Sequence, residues 1–417
     1  MRTTAVALIA LALAAAGGPP AAAQEAKPAL VLTIDEAIDL ALRQNPFHMA
    51  TREQENQARA GVRQARAGFL PTFNAQGTDN LAEKVFSLPF PSMIPGEPPT
   101  EVEIDFTKDY QMAFTLGVPL FAGGQIRAGY RQAKYGLEAS REAVRLSEQE
   151  TVYGVKQSFY GYLLAREFAS VAEEALTLAE KFSDNVRNLY AVGMASKFDL
   201  LRSEVQVANL KPQAIKARNG VDVANLALKT VLGVDLDTPV EVRGSLEAPT
   251  LDAVAEGVIA EAEAQRPEIR QLDYRRRMAG EMLKIARGSL WPTVSIGGSF
   301  NYWADALSLN KGTWQNYYTV NLAVTLPIFN GFETQARIGQ SKAAIRELEW
   351  ARKGLSEAVA LEVRQAVLNL HQAKETLLSQ EKNVEQAREA VRIAELNYSE
   401  GLATNLDVST AQVALSQ

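Results

Sequence analysis

The stretch "LWPTVSIGGSFNYW", residues Leu290 to Trp303, alternates apolar with small or polar residues in a chain that is otherwise rich in charged helical sequence. Successive side chains of a β-strand point to opposite faces, so the pattern predicts a strand with one apolar and one polar face. Such a run of about 9–11 residues is long enough for a tilted strand to cross a bilayer. A sheet with one face on a soluble core gives the same alternation, so the pattern alone leaves both structures open.

The chain is an internal duplication. "FLPTFNAQG" at Phe69 matches "LWPTVSIGG" at Leu290 with a spacing of 221 residues, whereas "PLFAGG" at Pro119 matches "PIFNGF" at Pro327 with a spacing of 208. The spacing changes once, which indicates an insertion in the first copy. We assign the insertion to a longer loop that contains the proline-rich segment 87–101, "SLPFPSMIPGEPPTE".

The duplication predicts two repeats, 24–248 and 249–417, each with a helix, a β-hairpin, a very long helix, a tip turn and a return helix. The predicted bounds in the first repeat are about 71–119 for the hairpin, 124–190 for the long helix and 191–196 for the tip turn. The corresponding bounds in the second repeat are about 292–327, 332–398 and 399–404. By comparison with the first repeat, the last return helix is expected to be cut short at Gln417.

The four predicted strands make a membrane location the favoured hypothesis, because no spare amphipathic segment is suited to cover their apolar faces. Open sheet edges are not tolerated in lipid, and four strands are too few for a barrel of at least about eight. We therefore expect several copies of the chain to assemble, each contributing two hairpins. Aromatic residues at the strand ends are predicted to lie at the membrane interface: Trp291, Tyr302, Trp303, Trp314, Tyr317 and Tyr318.

The long helices and their ends form the second unusual feature. The segments 124–193 and 332–401 contain no proline, and about seventy helical residues make a rod of roughly 100 Å. Their apolar residues recur at steps of three and four, which is typical of helices with partner helices. Both rods end in a similar motif, "YAVGMASKFDL" at Tyr190 and "YSEGLATNLDV" at Tyr398. Helix capping explains the Gly, Ser/Thr and Asp of these tip motifs, but it does not explain why the same pattern ends both rods about 100 Å from the strands.

Composition excludes several classes of protein. The net charge of −6 gives no electrostatic footprint for nucleic acid, and the absence of cysteine excludes disulfides and thiol chemistry. Residues 1–23 have the basic start, short apolar run and small residues of a signal peptide, so the mature chain is expected to begin at Gln24. His48 and His371 are isolated in sequence, and no catalytic, metal-binding or phosphate-binding motif is present. We therefore predict no enzyme activity, no metal site and no cofactor.

The duplicated plan, the paired "LPT" and "WPT" strand starts, the "PLFAGG" and "PIFNGF" segments and the two tip motifs resemble the TolC-like outer membrane factor family. The resemblance covers essentially the whole chain from about Leu30. It implies a homotrimer with a twelve-stranded outer membrane barrel, set in lipid, on a helical tunnel that extends through the periplasm of a Gram-negative cell. Such a protein is the exit duct of a tripartite efflux or type I secretion system. Its partners are a periplasmic adaptor and, indirectly, an inner membrane transporter.

The resemblance also implies roles for individual residues. A carboxylate ring that closes the periplasmic mouth is implied at Asp407, with Tyr398 and Thr410 nearby, although relatives have a second acidic residue where this chain has Thr410 and a basic residue where it has Ala403. Whether Asp407 forms a gate or only starts a helix stays open. Adaptor docking is implied at the tips: Val192, Gly193, Met194, Ala195, Ser196, Asp199, Gly401, Leu402, Ala403 and Thr404.

Two other functions remain as alternatives. A passive trimeric porin would account for the strands but not for rods of this length with matched ends. A periplasmic coiled-coil adaptor or structural spacer would account for the rods but not for four strands of bilayer length. The sequence does not identify the transported substrate or the class of pump.

Overall fold

The computed structural model describes residues 30–79, 85–92, 94–96, 98–105, 110–246, 255–304 and 314–417. The predicted signal peptide (1–23) and the predicted boundary between the repeats (248/249) lie outside these residues. The strands are β1 (Leu30–Leu32), β2 (Thr72–Asp79), β3 (Val85–Phe90), β4 (Thr100–Asp105), β5 (Tyr110–Ala122), β6 (Val240–Val242), β7 (Thr293–Ala304) and β8 (Gln315–Thr325). The helices are α1 (Ile34–Gln44), α2 (Pro46–Ala67), α3 (Gln125–Ala191), α4 (Lys197–Leu232), α5 (Ala255–Gln265), α6 (Pro267–Gly288), α7 (Glu333–Ser399) and α8 (Asn405–Ser416).

The two repeats have matching helices. The rods α3 and α7 both contain 67 residues, and α2 and α6 both contain 22. The first helix of each repeat, expected from the sequence to be continuous, is instead two helices that break before Pro46 and Pro267. A proline at the start of a helix lacks only an amide that has no intrahelical partner, whereas inside the helix it would remove a hydrogen bond. The proline therefore sets the point at which the chain turns.

A four-stranded antiparallel sheet in the order β2-β5-β7-β8 joins the two hairpins. The register aligns the predicted faces across all four strands. One row of the apolar face consists of Phe73, Leu116, Gly298 and Val320, and one row of the polar face consists of Asn74, Thr115, Ser299 and Thr319. The outer strands β2 and β8 form the two edges of this sheet within the chain.

The insertion in the first repeat has a regular structure of its own. We expected a longer loop at 87–101, but β3 and β4 pair as a separate antiparallel hairpin between β2 and β5. Four of the five prolines, Pro91, Pro95, Pro98 and Pro99, lie in the connection between the two strands, and Pro89 lies within β3 opposite Glu101.

The apolar core lies near the middle of each rod. In the first repeat, Val155, Phe159 and Leu163 of α3 pack with α1, the end of α4 and the parallel pair β1–β6. In the second repeat, Val359 and Val363 of α7 pack on Ile269 of α6 and on α5. The packing therefore forms a belt about halfway along the rods, and the sheet and the tips extend from it in opposite directions. Among the described residues, no helix combines the length and the apolar composition needed to cross a membrane.

Candidate functional site at the helical tips

The first tip motif forms a tight connection between α3 and α4. Gly193 adopts a left-handed φ of 77°, which allows the Met194 amide to donate to the Leu189 carbonyl at 2.8 Å and close the end of α3. Ser196 then caps α4. Its hydroxyl accepts from the Asp199 amide at 3.1 Å, and the Asp199 carboxylate accepts from the Ser196 hydroxyl at 2.6 Å.

The second tip motif repeats this geometry between α7 and α8. Gly401 has a φ of 74°, and the Leu402 amide donates to the Asn397 carbonyl at 2.7 Å. Asp407 Oδ2 accepts from the Thr404 amide at 2.7 Å and from the Thr404 hydroxyl at 2.6 Å. Capping thus accounts for the Gly, Ser/Thr and Asp of both motifs at the level of local structure.

The two tips lie side by side and are joined through side chains. The Asn405 amide, on the first residue of α8, donates to the Asp199 carbonyl at 3.4 Å, and Asn405 is almost fully buried. The Phe182 ring of α3 lies 5.2 Å from the Tyr398 ring of α7. One turn further along α8, the Ser409 hydroxyl bonds the side-chain oxygen of Gln206 in α4. The end of each repeat is therefore held against the other within one chain.

A groove of about 380 Å³ opens between the tips. It brings together eight residues that were predicted as docking or gate residues from the sequence: Met194, Ala195, Ser196, Asp199, Tyr398, Gly401, Ala403 and Thr404. The rim of the tips is apolar and open to solvent, with Met194 77% exposed and Leu402 79% exposed. Val192 is also exposed, and Gly193 forms the turn behind it. Exposed apolar side chains around a concave surface are typical of a protein interaction site.

Asp407 and Thr410 lie one turn apart on the exposed side of α8, whereas Asn405, Val408 and Gln412 form its buried side. The Thr404 hydroxyl and, next, the Thr404 amide hold the pKa of the Asp407 carboxyl below its ordinary value, so the group is ionised at neutral pH. Asp407 is thus both a helix cap and an exposed negative charge. At Tyr398, burial and, to a lesser extent, the negative charge of Asp199 raise the pKa of the phenol.

Sequence reasoning missed two residues that hold the tips together. Asn405 corresponds to Lys197 in the first repeat, and this loss of repeat symmetry at an otherwise matched position was a usable signal. Phe182 lies within the rod, and its contact with Tyr398 depends on how α3 and α7 pack. No feature of the local sequence distinguishes Phe182 from other apolar residues of the rod.

The predicted interface aromatics fall into two groups at opposite ends of the sheet. Trp291 precedes β7 at the end that meets the helices, and the other five lie towards the far end. The register places Tyr302 and Tyr318 on the apolar face, whereas Trp303 and Tyr317 lie on the polar face. Trp314 comes directly before β8. Membrane contact therefore remains a proposal that fits Tyr302 and Tyr318 better than Trp303 and Tyr317.

The two histidines lie on different helices. His48 is buried between α2 and α3, with Nδ1 3.3 Å from the Ser147 hydroxyl, and His371 is exposed on α7. In the part of the chain that the structure describes, no three His, Asp or Glu side chains are placed to hold a metal ion.

Comparison with known proteins gives a consistent family. The family described as outer membrane efflux protein matches residues 37–234 and 258–417. The probable efflux pump outer membrane protein TtgC of Pseudomonas putida is 26% identical over 366 residues, which cover 85% of this chain and 71% of TtgC. A membrane protein from Pseudomonas aeruginosa has a similar structure, with a TM-score of 0.78 and 22% identity over 92% of this chain and 87% of that one.

The outer membrane protein VceC from Vibrio cholerae also has this fold, with a TM-score of 0.73 and 19% identity over 92% of this chain and 90% of VceC. These similarities confirm the fold class predicted from the sequence, mainly helical with two membrane-type hairpins. They also confirm the TolC-like family resemblance and favour efflux over the two alternative functions. The matched segments include both rods, both tip motifs and the hairpins that carry the sheet. The chain belongs to the outer membrane efflux protein family.

Proposed function

We propose that three copies of this chain form the outer membrane exit duct of a tripartite efflux or secretion pump. A periplasmic adaptor docks at the tips and links the duct to an inner membrane transporter. The observation that carries the proposal is the tip groove, because it unites both repeats about 100 Å from the sheet, the length of a 67-residue helix. A pore without partners has no need of a matched binding surface at that distance.

The edges of the sheet support assembly. Within one chain, β2 and β8 each end the sheet with one side unpaired by the other three strands. Backbone groups at such an edge cannot remain unpaired in lipid, and a barrel needs at least about eight strands. Three copies supply twelve strands when β8 of one pairs with β2 of the next. The apolar face then meets lipid and the polar face lines a water-filled passage.

The tips support docking and gating. Val192, Met194 and Leu402 expose apolar surface around the groove, which suits contact with a helical hairpin of an adaptor. Asp407 contributes one exposed carboxylate per chain, and three around a threefold axis would attract cations and repel anions. Thr410, one turn later, adds no charge, so we expect a single acidic ring at this mouth.

Conductance and mass together test the duct. Purified protein, measured in detergent for oligomeric mass and in planar bilayers for conductance, should be a trimer that forms small, cation-selective channels. Monomers, or trimers that form no channels, would contradict the proposal. A wide and unselective trimeric channel would instead favour a passive porin.

Site-directed cross-linking tests docking, because the chain has no cysteine and an engineered thiol is the only one present. Met194→Cys and Leu402→Cys should each cross-link to the adaptor in cells. Phe47→Cys, with 81% of its side chain exposed at the belt, provides a matched control that should not. Replacing Met194 and Leu402 together with Asp should abolish export while the trimer still forms channels. Persistent export in that double variant would show that the tips are not the docking site.

A further inference from the structure

Four arginines cluster where the helices of the first repeat meet the sheet. Arg63 and Arg66 lie in the last turns of α2, and Arg127 and Arg131 lie in the first turns of α3. We refer to these four as the junction arginines. Each is exposed, and at 1.5 Å per residue each lies within about 10 Å of the helix end that adjoins β2 or β5.

The junction arginines share one side of the helical layer. Residues three or four apart lie on the same face of a helix, which places each pair together. The antiparallel helices α2 and α3 pack side by side, and just after α2 the ring of Phe69 lies 5.9 Å from the ring of Tyr130 in α3. Around the axis of its own helix, each pair of arginines lies about a quarter turn from the face that contacts the other helix, and the direction of that turn from N- to C-terminus is the same in both helices. Because the two helices are antiparallel, the two pairs then lie on the same side of the layer. The opposite faces carry uncharged residues: Gln57, Gly61, Gln64, Gln132 and Gly136.

The sequence around the junction arginines carries no acidic residue. The segments 56–78 and 110–137 contain no Asp or Glu, although the whole chain has a net charge of −6. Among the described residues, the ion pairs within 4 Å do not include any junction arginine. By contrast, Arg59, one turn further from the sheet, pairs with Glu55 at 2.8 Å. The junction arginines therefore form a local positive patch rather than part of an ion-paired helix surface.

An apolar rim borders the patch on the side of the sheet. The rim consists of five exposed side chains: Phe69, Leu70, Phe73, Leu120 and Phe121. The rim lies beside the patch, because Tyr130, the residue before Arg131, contacts Phe69 of the rim. An apolar band followed within one or two helical turns by unpaired cations matches the order of acyl chains and phosphates across half of a bilayer.

We propose that the junction arginines bind the phosphate groups of anionic phospholipids in the periplasmic leaflet of the outer membrane. This inference rests on the proposed function, since it requires the sheet to span that membrane with the helices on the periplasmic side. Guanidinium groups pair with phosphate in a bidentate geometry, and long arginine stems reach from a helix surface to the headgroup layer. The patch then helps to fix how deeply the barrel sits in the membrane, in addition to the contact of its apolar face with the acyl chains.

The test compares two charge-matched variants of the full-length protein. R63Q/R66Q/R127Q/R131Q removes the junction arginines, and R52Q/R275Q/R364Q/R388Q removes four exposed arginines elsewhere on the helices. The protein is placed in nanodiscs of phosphatidylcholine mixed with phosphatidylglycerol, and the phosphatidylglycerol retained per trimer is measured by native mass spectrometry. Each arginine engaged by lipid should contribute about fivefold to the preference, so the loss of only two such contacts already predicts a decrease of about 25-fold in the junction variant. The control variant should retain the preference of the wild type.

Conductance of each sample in planar bilayers separates the possible failures. Wild-type channels without any preference for phosphatidylglycerol, or an equal loss in both variants, would overturn the inference and leave the proposed function intact. A wild type that forms no channels would overturn both. Competition by inorganic phosphate at the concentration of the lipid would assign a free-anion site and refute lipid binding. If the junction variant no longer bound peptidoglycan sacculi but retained as much phosphatidylglycerol as the wild type, the patch would be a cell-wall site and lipid binding would also be refuted.

Discussion

The side-chain amide of Asn405 donates to the backbone carbonyl of Asp199, 206 residues earlier in the chain, at 3.4 Å. This bond ties the start of α8 to the first turn of α4 and couples the two tips. Asn405 is 4% exposed, so its partner is also shielded from water on that side. A change at Asn405 should therefore affect the mouth of the duct more than the belt or the sheet.

Asn405→Ala should loosen the tips and raise the mean single-channel conductance of the trimer. The bond is part-buried, so its loss should cost about 1 kcal/mol. Lys197→Ala is the matched control, because Lys197 occupies the same position in the first repeat and is exposed. Equal conductance in the wild type and in Asn405→Ala would show that this bond does not restrain the mouth.

The ionisation of Asp407 should determine how cation selectivity depends on pH. Its pKa is lowered in the folded protein, so the capping contribution is present above the ordinary value of 3.8 and is lost as the pH falls through the folded value. Thr404→Ala removes the hydroxyl, which is the largest single cause of the lowered pKa. The pH at which selectivity falls should therefore move upward in that variant.

The measurement is the reversal potential in a salt gradient from neutral pH to below 3.8. Asp407→Asn should remove the selectivity and its pH dependence together. Ser196→Ala serves as the control, since it removes the corresponding cap from Asp199 in the first tip. If the Asp407→Asn channel kept the selectivity of the wild type, Asp407 would act only as a helix cap and not as a selectivity residue.

Asn45 should contribute more to stability than Arg266, its counterpart in the second repeat. The Asn45 side chain accepts from the amides of Phe47 and His48 at 2.9 and 3.1 Å and donates to the Val231 carbonyl at 2.8 Å. Asn45→Ala should cost about 1–3 kcal/mol, because it removes a cap and leaves a part-buried carbonyl without its partner.

Arg266 has no side-chain cap bond and pairs instead with Glu362 at 2.6 Å. Its hydrogen bond lowers the pKa of the Glu362 carboxyl. Glu362 is exposed and Arg266 is partly exposed, so water screens the pair and Arg266→Ala should cost about 1 kcal/mol. Thermal unfolding of the two variants in the same detergent gives the comparison, and a larger loss for Arg266→Ala would contradict this ranking.

Two adjacent glycines should respond differently to the same substitution. Gly123 has a φ of +59°, and a Cβ there would lie 2.2 Å from the Gly288 carbonyl oxygen. Gly124 has a φ of +80°, but a Cβ there would meet open space. Gly124→Ala should cost about 1–2 kcal/mol from the left-handed backbone alone. Gly123→Ala should cost more, because two backbone segments must move apart.

Yield of folded trimer and thermal unfolding distinguish these two variants. The second repeat already provides a natural comparison, since Phe332 occupies the position of Gly124 with a φ of 64°. A side chain is therefore tolerated at that position despite the strain. If Gly123→Ala folded as well as Gly124→Ala, the close approach of α6 to this turn would not matter for stability.

Much of the fold could be predicted from the sequence because its signals are local. The alternation in β7 and β8 fixes which residues share a face, and the register pairs those faces as expected, with Phe300 opposite Tyr318. The proline-free rods and the capping residues of the tips likewise depend on neighbours within a few positions. The exceptions are also informative. A proline-rich insertion formed a hairpin through cross-strand pairing, and a helix broke at Pro46, where the proline starts a new helix.

The sequence by itself determined the duplication, the strand faces, the rods and the chemistry of each tip. Only the tertiary structure decided that the two tips share a groove, that Asn405 and Phe182 join them, and that the junction arginines lie on one side of the helical layer. These relationships connect residues up to about two hundred positions apart. They depend on the relative rotation and offset of packed helices, which periodicity within one helix leaves undetermined.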